Sequence, residues 1–128
     1  MPLVRIDVLE GRTRGELDAI AEGVHQALVD SIGIPAADKF QVIAEHPPEG
    51  LVFDAGYLSI RRTRGIVLIQ VTISVGRSLE QKRALYAAVA RNLSSGPAAV
   101  RPEDVLVSVV EVSREDWSFG NGIAQYAP

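Results

Sequence analysis

The chain has 128 residues, 47% of them hydrophobic and 23% charged, the size and composition of one soluble domain with a core of its own, which excludes intrinsic disorder. With no cysteine and two histidines, disulfides, thiolate nucleophiles and thiolate metal sites are excluded, a His-rich metal site is not expected, and a reducing cytoplasm is the expected location. A net charge of −3 favours neither nucleic acid nor an anionic membrane as partner, and the longest apolar run, 66–75, falls short of the roughly 20 residues of a membrane helix. Residues 1–7 have no signal-peptide layout.

Residues 3–9 alternate Val4, Ile6 and Val8 with Arg5 and Asp7, a period of two that predicts a strand with one face on a core. Gly11-Arg12-Thr13 breaks the alternation, and Thr13 with Glu16 has capping-box spacing, so a helix is expected to start there. Leu17, Ile20, Ala21, Val24, Leu28 and Ile32 form its apolar stripe, and Gly33 followed by Pro35 ends it. A second strand is predicted around Phe40 to Glu45. Pro47-Pro48-Glu49-Gly50 opens a connector, in which Tyr57 to Ile60 is expected to form a short strand or hairpin. Arg61, Arg62 and Arg64 read as a solvated strand end or a subunit contact.

The second half repeats the plan. Ile69, Val71, Ile73 and Val75 alternate with Gln70, Thr72 and Ser74, and Gly76-Arg77-Ser78 stands 65 residues after Gly11-Arg12-Thr13. Ser78 and Gln81 form another capping pair, Leu79, Leu85, Tyr86, Val89 and Leu93 supply a stripe, Gly96-Pro97 ends the helix, and Val105 to Val112 forms the last strand. The prediction is one α+β domain over residues 1–128, a tandem β-α-β repeat (about 2–46 and 66–113) with a tail at 114–128. A pseudo-twofold would join the halves into a four-stranded sheet with both helices on one face. The opposite face keeps more apolar positions than a lone two-layer domain should expose, which points to oligomerisation.

Pro2 follows the initiator Met1. Removal of Met1 would leave a secondary amine, which acts as a base near neutral pH when neutral, or polarises a carbonyl when a carboxylate keeps it cationic. Antiparallel pairing of strand 3–9 with strand 66–75 would bring Pro2 close to Val75 and Arg77, whose guanidinium can clamp a substrate carboxylate. Arg12, the repeat partner of Arg77, would face Ile66 at the other end, where no amine exists. His25 and His46 have no visible catalytic partner and read as structural.

The Pro2 start, the strand-GR[TS]-helix repeat and the tail Trp117-Ser118-Phe119-Gly120-Asn121-Gly122 resemble the tautomerase superfamily, and within it the malonate semialdehyde decarboxylase branch. Met1-Pro2-Leu3, Glu10 to Thr13, Pro35 to Asp38, Glu80 to Lys82 and Asp116 to Gly120 carry the resemblance over essentially the whole chain, the tail motif being the most specific. It implies a homotrimer of β-α-β-β-α-β subunits, a small oxo acid as substrate, and no metal or organic cofactor. Pro2 matches the catalytic proline. Asp38 matches an acid that holds the proline cationic and positions water, and Arg77 matches the second arginine of a carboxylate-binding Arg-Pro-Arg segment. The first arginine has no counterpart, since Val75 stands there; losing such a charged contact costs roughly 1.5–3 kcal/mol, and Val75 offers an apolar wall instead. Trp117, Phe119 and Tyr126 are candidate substrate-binding residues. The resemblance thus implies a decarboxylase or hydratase with side tautomerase activity, beside two alternatives: a keto–enol tautomerase of a phenylpyruvate-like acid, and, if Met1 is retained, a non-catalytic trimer that binds a small anion.

Overall fold

The computed structural model describes residues 2–128. β1 (Leu3–Leu9) buries Val4, Ile6 and Val8 and turns Leu3, Arg5 and Asp7 to the other face, as its alternation requires. Gly11 then takes φ +125°, and Gly76, its repeat partner, φ +124°. An added Cβ would meet nothing within 4 Å at either position, so backbone conformation rather than space demands glycine there. Each glycine leads into a capping box of the same dimensions. Thr13 N–H donates to Glu16 Oε1 at 2.9 Å and Glu16 N–H to Thr13 Oγ1 at 3.1 Å. Ser78 N–H donates to Gln81 Oε1 at 2.9 Å and Gln81 N–H to Ser78 Oγ at 3.1 Å. These boxes open α1 (Arg14–Ile32) and α2 (Leu79–Ser95). α1 closes on Gly33 in the left-handed region, its N–H bonded to Val29 O, and α2 ends at Gly96.

β2 (Gln41–His46) and β4 (Val105–Val112) complete one sheet of order β2-β1-β3-β4, with β3 at Val67–Ser74. β1 runs parallel to β2 and β3 parallel to β4, while β1 and β3 meet antiparallel at the centre. This is the predicted α+β architecture. Both helices lie on one face, where Ile6, Ile69, Ile73, Ile20, Leu28, Leu85 and Leu93 are almost wholly buried, each contributing about 1.5–3 kcal/mol of burial. The helices touch closely at Gly23, where a Cβ would lie 2.8 Å from Leu93 Cδ1, and Asn92 Nδ2 donates to Gly23 O at 3.0 Å. Among the described residues no helix is long and apolar enough to cross a membrane.

Three local expectations are corrected. β2 begins at Gln41 rather than Phe40. Tyr57–Ser59 forms a 3-10 turn with Leu58 and Ser59 at positive φ, not a strand, and Arg62 fastens it by donating to Tyr57 O and Ile60 O. Leu79 and Tyr86 are exposed, and Ala88 takes a place in the buried stripe.

The open face of the sheet carries exposed Leu3, Val42, Leu106 and Val110. On that face Asp7 Oδ1 and His46 Nε2 pair at 2.7 Å, which supplies the partner that sequence reading did not assign to His46.

Candidate active site

The two halves end their helix-to-strand connections in equivalent carboxylates. β2 is entered through Asp38 and β4 through Asp104; both aspartates are buried. Asp104 lies at the Arg12 end of the sheet. It accepts from Thr63 N–H at 2.6 Å and Thr63 Oγ1 at 2.5 Å, and faces Arg101 at 3.8 Å. Arg12 beside it donates to Gly65 O at 2.7 Å. Its polar groups are thus satisfied within the chain, in keeping with the expected far end that lacks an amine.

Asp38 occupies the equivalent place at the Arg77 end, and among the described residues neither of its carboxylate oxygens has a hydrogen-bond partner. Burial pushes its pKa up, against the positive charges of His25 and Arg77. A buried unpartnered carboxylate costs free energy, and this one lies at the end of the sheet where β1 starts. β1 is bonded to the Asp38 connection through Val4 N–H to Phe40 O at 3.0 Å. Pro2 is buried, one step beyond the Leu3–Thr72 pair of the central ladder. His25 is fixed as a structural group, its Nε2 2.8 Å from Ala36 O.

A cavity of about 220 Å³ opens beside Asp38, lined also by Ser74, Arg77, Arg114 and Tyr126. Arg77 reaches it from the Gly76 turn and donates to Ser74 O at 3.2 Å. The tail builds the outer wall. Trp117 Nε1 donates to Ser74 Oγ at 3.0 Å, and Trp117 stacks on Phe119 at 5.5 Å. Gly120, Asn121 and Gly122 all take positive φ, which turns the chain back so that Tyr126 meets the Phe119 ring edge-on at 4.9 Å. Gln125 locks this reversal, accepting from Phe119 N–H and donating to Gly120 O. The specificity of the tail motif thus has a physical basis: aromatic residues to stack and a Gly-Asn-Gly turn to return the chain.

Of the candidate residues, Asp38, Arg77 and Tyr126 line one cavity; Pro2 is buried just before the central strand β1 and is not part of that lining, and Trp117 and Phe119 pack against Ser74 and Tyr126, which are. Val75 does not line it: its side chain is exposed, and its N–H bonds Val112 O. Two polar side chains of the lining were missed, Ser74 and Arg114. Arg114 begins a 3-10 turn capped by Ser113 and Asp116, and the Ser113-x-x-Asp116 spacing was the signal available for it.

Residues 38–120 and residues 2–59 each match a family model described as a tautomerase enzyme. The probable tautomerase YusQ of Bacillus subtilis (strain 168) is 38% identical, the alignment covering 98% of each chain. The probable tautomerase YrdN of the same organism is 35% identical over 98% of this chain and 96% of its own. A malonate semialdehyde decarboxylase inhibited by 3-bromopropiolate superposes with a TM-score of 0.90 at 39% identity, covering 97% of this chain and 93% of that one. A fused 4-OT solved as a symmetric trimer superposes with a TM-score of 0.77 at 25% identity, covering 97% of each chain.

Proposed function

The chain belongs to the tautomerase superfamily, close to its malonate semialdehyde decarboxylase-like members, and on that premise we propose that it decarboxylates a short 3-oxo acid of the malonate semialdehyde kind, with Pro2 as general acid. The observation that carries this reading is the buried, unpartnered carboxylate of Asp38, in one cavity with Arg77 and beside the start of β1. Once Met1 is removed, the Pro2 nitrogen is a secondary amine. An α-amino group ordinarily titrates near 8; a buried carboxylate at its side raises that value and keeps it an ammonium at neutral pH. The same pairing gives Asp38 the counter-charge it lacks.

In this reading Arg77 holds the substrate carboxylate and the Pro2 ammonium donates to the 3-oxo oxygen. The bond between the carboxyl carbon and the α-carbon breaks, its electron pair enters a new carbon–carbon double bond, and the carbonyl oxygen takes the proton from Pro2. Carbon dioxide leaves, the enol carbon takes a proton from water, and the enol O–H proton returns to Pro2. In the same reading Tyr126 donates to a substrate oxygen, and Asp38 positions water in a hydratase side reaction. The cavity, about 220 Å³, lies below the roughly 300–1,000 Å³ of sites for drug-sized ligands and suits a small acid. We place the enzyme in the cytoplasm as a homotrimer.

Keto–enol tautomerisation is the second reading, favoured by the curated relatives that are probable tautomerases. The same amine, when neutral, shuttles a proton between carbon and oxygen. The test is the intact mass of the untagged protein together with turnover of malonate semialdehyde and of phenylpyruvate enol by wild type and Pro2→Ala. The expected result is a mass lacking Met1, preference for malonate semialdehyde, and loss of at least a thousandfold in Pro2→Ala. A preference for phenylpyruvate enol would select the tautomerase. Unchanged turnover in Pro2→Ala would remove Pro2 from the chemistry. Retained Met1 in protein from the native host would make Pro2 a tertiary amide and leave an anion-binding trimer.

A further inference from the structure

We propose that Arg114 is a second substrate-binding guanidinium, which acts with Arg77 so that the site selects a short acid with an oxygen-bearing group at each end. This rests on the reading above that the cavity beside Asp38 is the substrate site. The cavity is lined by one carboxylate, Asp38, and two guanidinium groups, Arg77 and Arg114. If the Pro2 ammonium balances Asp38, both guanidinium charges are left for the ligand. Among the described residues neither arginine has an ion-pair partner, although carboxylates are abundant, with 16 Asp and Glu in the chain.

Arg114 is also held where it is. Its guanidinium lies 5.0 Å from the Tyr126 ring centroid, a stacking contact that orients the fork without consuming its hydrogen-bond donors. The Ser113–Asp116 box fixes the backbone of its turn. The anchor from Trp117 to Ser74 ties that turn to the strand end from which Arg77 departs, since Ser74 accepts from Trp117 at its hydroxyl and from Arg77 at its carbonyl. Both guanidinium groups are thus referenced to one residue. A carboxylate at one end of the ligand satisfies Arg77, and a carbonyl or second carboxylate at the other satisfies Arg114. Tyr126 acts on Arg114 as a positioning residue through its ring, besides any bond from its hydroxyl.

The test is titration calorimetry of the purified protein with two unreactive probes, malonate and propionate, at a fixed ionic strength of about 0.1 M, so that screening is constant. Wild type is expected to bind malonate at least tenfold more tightly than propionate. Arg114→Gln is expected to lose most of that preference while binding propionate within twofold of wild type; Arg77→Gln weakens both probes. Tyr126→Phe keeps the preference and Tyr126→Leu reduces it. Arg114→Lys, which keeps the charge and loses the planar fork, falls between and serves if the Gln variant unfolds the tail. A malonate preference unchanged in Arg114→Gln, or an equal loss for both probes, overturns the proposal. Because nothing is turned over, this outcome is independent of the Pro2→Ala result, which alone decides the catalytic reading.

Discussion

Asp38 and Asp104 hold equivalent places in the two halves of the chain, yet Asp104 accepts two hydrogen bonds from Thr63 and Asp38 accepts none among the described residues. Duplication of a fold unit duplicates its polar positions, and a buried carboxylate must then be satisfied internally or serve a group from outside the repeat. One copy has taken each course. The satisfied copy is scaffold, and the unsatisfied one lies at the end of the sheet where β1 starts.

Asp38→Asn should separate what the carboxylate costs from what it does. In protein that keeps Met1, where the Pro2 nitrogen is an amide and gives Asp38 no counter-charge, replacing the buried carboxylate by a neutral amide is expected to gain about 1 kcal/mol at pH 7; in the Met1-free enzyme decarboxylation is expected to fall by at least about a hundredfold. The sign follows from linkage. Burial raises the native pKa of Asp38, so between the ordinary carboxylate value, about 3.9, and the raised native value, the folded state binds the proton more tightly. In that window wild-type stability falls as pH rises, and below it the difference between wild type and Asp38→Asn vanishes. Urea unfolding of the Met1-retaining protein at pH 3.5, 5 and 7 measures this, and a difference independent of pH would refute it.

Asp104→Ala should do the opposite. It removes a bonded carboxylate and strands the Thr63 N–H and hydroxyl, at a cost of about 2–4 kcal/mol. The folded fraction should keep wild-type kcat and KM, because Asp104 lies at the far end of the sheet. A thermal melt beside steady-state kinetics separates the two aspartates. Loss of turnover without loss of stability would show that the far end takes part in the chemistry.

Gly76→Ala and Gly11→Ala form a matched pair. Both glycines sit near φ +125° with open space where a Cβ would go, so each substitution carries only backbone strain, about 1–3 kcal/mol. Equal losses in melting temperature are expected. KM should rise in Gly76→Ala alone, because that turn aims Arg77 into the cavity and the Gly11 turn aims Arg12 at Gly65. Equal effects on KM would mean that the turn does not set the position of Arg77.

What could be read in the sequence was local. Alternation located β1 to the residue, the repeat of the plan located β4, and Thr13–Glu16 and Ser78–Gln81 located both helix starts, because a pleat or a capping box lies within a few residues of what it specifies. The errors came where distant packing decides. Tyr57, Leu58 and Ile60 read as a strand by composition, but they have no strand partner and form a turn. Leu79, the first residue of α2, looked like part of the stripe but is exposed, while Ala88, which the stripe did not include, is buried. Arg77 was singled out through the repeat and Asp38 through the resemblance, and both line the cavity. Arg114 was not, because its entry into the cavity depends on the reversal at Gly120 to Gly122, which brings Tyr126 back across the tail.

The open sheet face supplies the last prediction. Leu3, Val42, Leu106 and Val110 stand exposed there, while the other face of the same sheet is filled by helices. Val42 lies on β2 and Leu106 and Val110 on β4, so the apolar positions extend across the sheet from one edge strand to the other and would be covered together by another subunit. Leu106→Glu places a charge in that face without touching the helix-packed core. It is expected to convert a trimer into a monomer of 13.8 kDa, read by light scattering on size-exclusion chromatography, with circular dichroism unchanged. A trimer that survives both Leu106→Glu and Val42→Glu would mean that the subunits join through another surface. A monomeric wild type would mean that this face is uncovered in solution.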